Sequence, residues 1–456
     1  MKKLVLSKIL CFALMTVSLS SWSQAMEPPV QQWNELLLEA IRNDLARPNV
    51  HARNLHHFSS GQYALQLLTE GQDGTLADGN VTWPSIPGSI GTWTADTDEY
   101  RDMMATYAYR FIALRYAAAP GWSETAAALN EAFVSTTGTT PNVLLNSSAA
   151  AAFGFDIANA INEAYLNDGA NQINDYANTC YVPANDPLDV TEEGPCDFSL
   201  NDPNRWQPLS FGGSFVDQAG NETFEDVVPF SGANWGNVTP FALQNSDVSF
   251  LNRDGCVYPV YFDPGPPKLL GEADGSLYNW QTGFALVARW QTQLNVDDAV
   301  VVDISPRSVG NLNADPTFPD HLYRQFEGGD IGPGHAFNPI TGEPYEAEMV
   351  YRGDFTRVLA EFWADGPDSE TPPGHWFTIL NDATSHPDFD WRWNGRGEPM
   401  EHGAWLARAY RLLGGTMHDA AIAAWSIKGY YDFVRPISAI RYMPVSYTHL
   451  RAHETA

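Results

Sequence analysis

Lys428-Gly-Tyr-Tyr-Asp-Phe-Val-Arg435-Pro436 sets a lysine and an arginine seven positions apart, immediately before a proline that is expected to end the helix. Seven steps of about 100° return to within about 20° of the starting direction, so on one continuous helix both cations leave the same face. The run leading to them, Glu401 to Val434, carries an apolar stripe of Trp405, Leu406, Ala409, Leu412, Leu413, Met417, Ala420 and Ala424, the pattern of a bundle helix. Lys428 therefore falls on a helix otherwise suited to burial, and a buried lysine needs an anion. An arginine fork beside the compact charge of lysine suits a tetrahedral or trigonal-bipyramidal oxyanion, a description that phosphate and vanadate both meet. The competing reading is a solvated pair near a helix end, with Asp432 within reach of both cations as a structural salt bridge. Upstream, Gly414-Gly415 marks a kink or a close helix approach. His418 and Asp419 are neighbours that point to different faces, so they read as structural, buried and hydrogen-bonded.

Helical patterning recurs at Trp33–Ala46, Glu99–Ala118, Ala149–Leu166, Leu277–Leu294 and Asp354–Trp363. Strand signals are few, with Ala299-Val-Val-Val-Asp303 the clearest, so the fold class is mainly α, a helical bundle. From about Asp168 to Gly275 the texture changes to Asn, Asp, Gly, Pro and isolated aromatics such as Trp206, Phe211, Phe224 and Trp235. An irregular insertion of that length predicts a lid, a pocket wall or a small packed subdomain, with no clean domain boundary.

Met417-His-Asp-Ala420 through Trp425-Ser-Ile-Lys428 to Arg435-Pro-Ile-Ser-Ala-Ile-Arg441 closely resembles the first anion-binding motif of the vanadium-dependent haloperoxidase and type 2 phosphatidic acid phosphatase superfamily. Glu361-Phe-Trp-Ala-Asp-Gly-Pro367 and Thr371-Pro-Pro-Gly-His-Trp376 look like bacterial haloperoxidase-like members. The resemblance covers roughly residues 350–443 and is fainter near Trp33-Asn-Glu, Ala40-Ile-Arg42 and Arg47-Pro48 through Ala52-Arg53-Asn54-Leu55. It implies a helical bundle in which Lys428 and Arg435 hold vanadate, with hydrogen peroxide and a halide as substrates. Arg441 is a weaker candidate for oxyanion contact. The same fold also implies an alternative, an acid phosphatase in which the pair holds a phosphoryl group. A third reading, from another class, is a non-catalytic secreted protein that binds oxyanions. The superfamily's Pro-Ser-Gly-His motif and its later Ser-Arg motif with a following histidine do not occur after Arg441. Residues 446–456 show no family resemblance, which predicts a C-terminally truncated chain with a foreign tail, inactive as it stands.

Pro373-Gly374-His375 and Pro333-Gly334-His335 imitate the missing motif but precede Lys428 and lack its serine. Their histidines read as loop-stabilising, with His375 beside Trp376 the better candidate for a site rim. His56-His57 has no carboxylate at the spacing a chelate needs, and Ser59-Ser60-Gly61 lacks a nucleophile-elbow frame.

The first 25 residues read as a secretory signal, with Lys2, Lys3 and Lys8, an apolar Ile9–Val17 and a small-residue end at Ser23-Gln-Ala25. A periplasmic or secreted protein without a membrane span is the expectation. The remaining chain, about 430 residues, has ample length for a core. Without the three leader lysines, 22 basic residues face 55 acidic ones, a formal charge of −33 that argues against nucleic acid or anionic lipid as partner. An anion site in such a chain must be built locally. Cys180, Cys196 and Cys256 allow three pairings, of which Cys180–Cys196 closes the shortest loop.

Overall fold

The computed structural model describes residues 29–71, 77–78, 81–82, 97–191, 200–216, 222–223, 227–271, 276–297, 299–308, 334–339, 341–363 and 369–446. The signal segment, Cys196, Phe224 and the tail beyond residue 446 lie outside them. The described chain is mainly helical.

Helix α1 (Pro29–Arg42) turns one fully buried stripe of Val30, Trp33, Leu37, Leu38 and Ile41 inward, each such side chain contributing about 1.5–3 kcal/mol. It packs on α2 (Pro48–Thr69), α3 (Asp98–Tyr116) and α4 (Trp122–Thr137). The short α5 (Pro141–Ser147) leads to α6 (Ala149–Ala164), which lies along α3. Helix α2 is buried on nearly every side. Its polar residues are buried among its apolar ones rather than gathered on an exposed face, so it shows no 3.6-residue alternation. Phe58, Tyr107, Phe111, Phe133, Phe377 and Tyr410 join α2, α3, α4, α9 (Thr371–Thr384) and α10 (His402–Tyr431) into one core.

Helix α10 lies against α2 and runs unbroken through Gly414-Gly415. These glycines serve close approach rather than a kink. A Cβ at Gly414 would stand 2.6 Å from Ser59 Oγ and 3.0 Å from His56 Cα.

The irregular segment packs on the C-terminal half of α10. Trp235, Val238 and Tyr261 bury with Ile422, and Trp206 is buried with Phe230 and Ala233. Its main regular element is a hairpin, β1 (Val248–Arg253) and β2 (Cys256–Tyr261), in antiparallel register Arg253 to Cys256. Asp254 and Gly255 turn it, both at positive φ (53° and 82°), the two-residue geometry that Asp-Gly favours. The Ala299–Asp303 strand signal materialises as β3 (Val301–Asp303), paired with β4 (Met349–Tyr351). Helix α7 (Ser276–Gln291) meets α11 (Pro436–Ser446) through Trp280, Phe284 and Ala439, with Val434 just before α11 in the same cluster. Helix α8 (Arg352–Trp363) leaves Val358, Leu359, Phe362 and Trp363 exposed.

Candidate oxyanion site

Lys428 and Arg435 do not share a helix. Helix α10 stops at Tyr431, Asp432 takes a left-handed conformation (φ 49°), and Pro436 opens α11 instead of closing α10. Proline at a first helical position loses no hydrogen bond and brings a suitable φ, so it can start a helix as readily as block one. The break is fixed from outside the helix. Trp206 N–H donates to the Asp432 carbonyl at 2.7 Å, and Val434 N–H to the Asn204 carbonyl at 3.0 Å.

Across this turn the two cations remain electrostatic neighbours, and aromatic faces hold each of them. Lys428 Nζ lies 4.8 Å from the Phe230 ring centre and 5.2 Å from that of Trp425, while the Arg435 guanidinium lies 5.5 Å from Trp206. Phe230 packs edge-on to Trp206 at 4.9 Å and against Tyr181 at 4.5 Å, so the irregular segment forms the wall of the site. Partial burial, then the Arg435 charge, push the Lys428 ammonium down to about 8. Burial also lowers Arg435, against a smaller opposing effect of Tyr181. Among the described residues no carboxylate forms an ion pair with either cation.

Asp432 is a structural ion-pair partner, but not of these two cations. Its buried carboxylate accepts from Tyr181 Oη at 2.7 Å and from Arg205 Nε at 2.6 Å. Burial raises its pKa, against the opposing pull of those two partners. Arg441 points elsewhere, its Nη1 lying 3.4 Å from the Asp189 carbonyl.

His418 and Asp419 are both hydrogen-bonded to backbone, as their adjacency suggested, but only His418 is buried, Asp419 lying partly exposed. His418 Nε2 meets the Thr239 carbonyl at 2.9 Å, and Asp419 accepts from the N–H groups of Phe241 and Ala242. His375 is not in a loop. It lies in α9, its Nδ1 bonded to Glu370 and its ring stacked on Phe362, while Trp376 is half exposed. His335 is exposed, its N–H donating to the Pro306 carbonyl at 2.8 Å. His56 and His57 are buried in α2 beside His418, with ring centres 5.0 Å apart for His56 and His418. No cluster among the described residues could hold a metal ion, and no described helix is long and apolar enough to cross a membrane. Of the possible pairings, the disulfide joins Cys180 to Cys256, not Cys180 to Cys196, because the hairpin delivers Cys256 to the Tyr181 wall.

Phe230, Trp206, Tyr181 and Arg205 were not singled out as site residues. Only the aromatic content of the irregular segment hinted at them. The donor set fits an oxyanion: two cations without a carboxylate partner among the described residues, and the buried indole N–H groups of Trp206 and Trp425, which meet no acceptor among those residues.

A family model, the VCPO second helical-bundle domain, matches residues 408–453, a span that contains both cations. Over that segment the chain is similar to the second helical-bundle domain of that family. The match starts after the Glu361 and Thr371 motifs and reaches into the 446–456 tail. Two solved bacterial vanadium-dependent chloroperoxidases, one apo-type and one holo-type, are similar to the chain. The apo form has 14% identity and a TM-score of 0.46, over 88% of this chain and 66% of that one. The holo form has 15% identity and a TM-score of 0.40, over 91% and 64%. The chain thus spans about two thirds of their length. No curated protein matches it.

Proposed function

We propose that Lys428 and Arg435 are the oxyanion-holding pair of a vanadate-dependent haloperoxidase-like enzyme that oxidises a halide with hydrogen peroxide. The observation that carries this reading is the pairing of two half-buried cations on aromatic faces, with no carboxylate among the described residues paired to either. Neighbouring like charges in a partly desolvated site repel each other, and an oxyanion between them relieves that repulsion. A bound vanadate supplies a Lewis acid that activates hydrogen peroxide toward a halide. Arg435 offers planar N–H donors to two oxygens and fixes the anion's orientation. Lys428 offers a mobile ammonium that follows negative charge as it builds on a reacting oxygen. Phe230, Trp206 and Trp425 keep water from the cations without competing for them as hydrogen-bond acceptors.

Titration calorimetry with orthovanadate tests the pair. Saturable one-site binding is expected, weakened about tenfold or more in Lys428→Ala and in Arg435→Ala, the cost of a lost charge-assisted hydrogen bond. Absence of saturable binding, or variants that bind as wild type, contradicts the reading. Peroxide-dependent chlorination of an indicator dye then distinguishes halide oxidation from release of phosphate from a chromogenic ester.

A further inference from the structure

We infer that Tyr181, Asp432 and Arg205 are positioning residues that set the spacing of Lys428 and Arg435, and that the Cys180–Cys256 disulfide anchors them. The inference rests on reading the two cations as an oxyanion site. Asp432 touches the supports of both. Its N–H donates to the Lys428 carbonyl at 2.9 Å, closing the last turn of α10, and its carbonyl accepts from the N–H of Trp206, whose ring carries Arg435. A left-handed aspartate at this point is strained relative to glycine. Two strong hydrogen bonds hold it there, one to each carboxylate oxygen, from Tyr181 and Arg205.

These bonds also decide where the negative charge goes. An aspartate four residues after Lys428 and three before Arg435 is well placed to quench both cations, and a quenched pair would not take up an external anion. Tyr181 and Arg205 occupy both of its oxygens in a buried pocket. Arg205 is itself further bound by Asp254 at 3.1 Å, on the hairpin turn.

The disulfide holds this arrangement from two directions. Cys180 directly precedes Tyr181, and Cys256 sits on β2, opposite Arg253 in the hairpin register. Arg253 donates to the Gly429 carbonyl at 3.0 Å and to that of Tyr430, satisfying the open carbonyls at the end of α10. It also donates to Tyr258 Oη at 2.9 Å. One covalent link, between residues 76 apart in sequence, therefore ties the Tyr181 loop to the hairpin that caps the lysine's helix. Without it, placing Tyr181 carries the entropy cost of closing that long loop.

The experiment compares wild type, Tyr181→Phe, Asp432→Asn and phosphine-reduced wild type. Orthovanadate affinity is measured by calorimetry, and the Lys428 ammonium is followed by carbon NMR with labelled lysine. Tyr181→Phe removes one hydroxyl and keeps the ring against Phe230, so its far-ultraviolet dichroism serves as the control for folding. Orthovanadate binding about tenfold weaker is expected in Tyr181→Phe and Asp432→Asn, and weaker binding also after reduction. The Lys428 titration should move upward from about 8 as the cations separate. Affinities within about twofold of wild type, with the Lys428 titration unmoved, would show that the network only supports the fold and would overturn the inference. If wild type binds no orthovanadate, the oxyanion reading itself fails, whereas binding by wild type with indifferent variants sinks the positioning role alone.

Discussion

At the scale of the residue, Lys428 is where environment and function meet. Its ammonium is held near 8 by partial burial and by Arg435. The charge that attracts an anion is therefore complete below that value and is lost as the pH rises through it. Sulfate is a suitable probe because its own charge is constant over the range. Its affinity should be level near pH 7 and fall toward tenfold per pH unit above about 8.5, whereas Lys428→Arg should flatten the profile. A wild-type profile that stays flat to about pH 9.5 would place Lys428 outside the anion's reach. That Lys428 and Arg435 belong to one site was legible in the sequence, from their spacing and the residues around them. Their route to it was not. Helical periodicity describes a continuous helix, and it carries no information about Trp206 and Asn204 pairing with the backbone at Asp432 and Val434.

At the scale of the element, α10 depends on its fit against α2. Adding a methyl at Gly414 would force it onto Ser59 Oγ and the His56 backbone. Gly414→Ala should cost about 1–3 kcal/mol in chemical denaturation, despite alanine's better helix propensity, because backbone cannot rotate aside as a side chain can. The same seam buries His57 and His418. Desolvation lowers both, His57 well below its ordinary value and His418 to about 3, with nearby positive groups adding to the effect. Both rings are neutral in the folded chain and take up protons near 6.5 only on unfolding. The stability they permit is complete above that pH and declines as the pH falls below it, for His418 down to about 3. At pH 5 the loss from His418 should be about 2 kcal/mol. His418→Gln should show a shallower decline in a urea series from pH 7 to about pH 5. An unchanged slope would contradict the burial account. Neither feature could be read from the sequence in full. Gly414-Gly415 announced a close approach, but α2 was hidden because its polar residues are buried on all sides, and the adjacent histidines gave no sign that His418 would stack on His56.

At the scale of the whole molecule, a chain with a formal charge of −30 brings Lys428 and Arg435 together at one place with no acidic partner among the described residues. The mainly α class, five helices close to their observed bounds and the packed character of the irregular segment follow from composition and periodicity. The Asp254-Gly255 turn signal is present in the sequence, but the strands it joins lie in a stretch without sustained alternation, so periodicity alone does not mark the hairpin. The disulfide partner could not be chosen from loop length, since contact between Cys180 and Cys256 depends on how that hairpin docks. What unites these parts is a wall of aromatic rings brought to the end of α10, leaving Lys428 and Arg435 charged and unneutralised. A crystal structure of the oxidised chain grown with orthovanadate tests this most directly. The account predicts the anion within hydrogen-bond distance of both Lys428 Nζ and the Arg435 guanidinium, with Asp432 still bound to Tyr181 and Arg205. An anion bound elsewhere, or Asp432 turned to pair with Lys428 or Arg435, would contradict it.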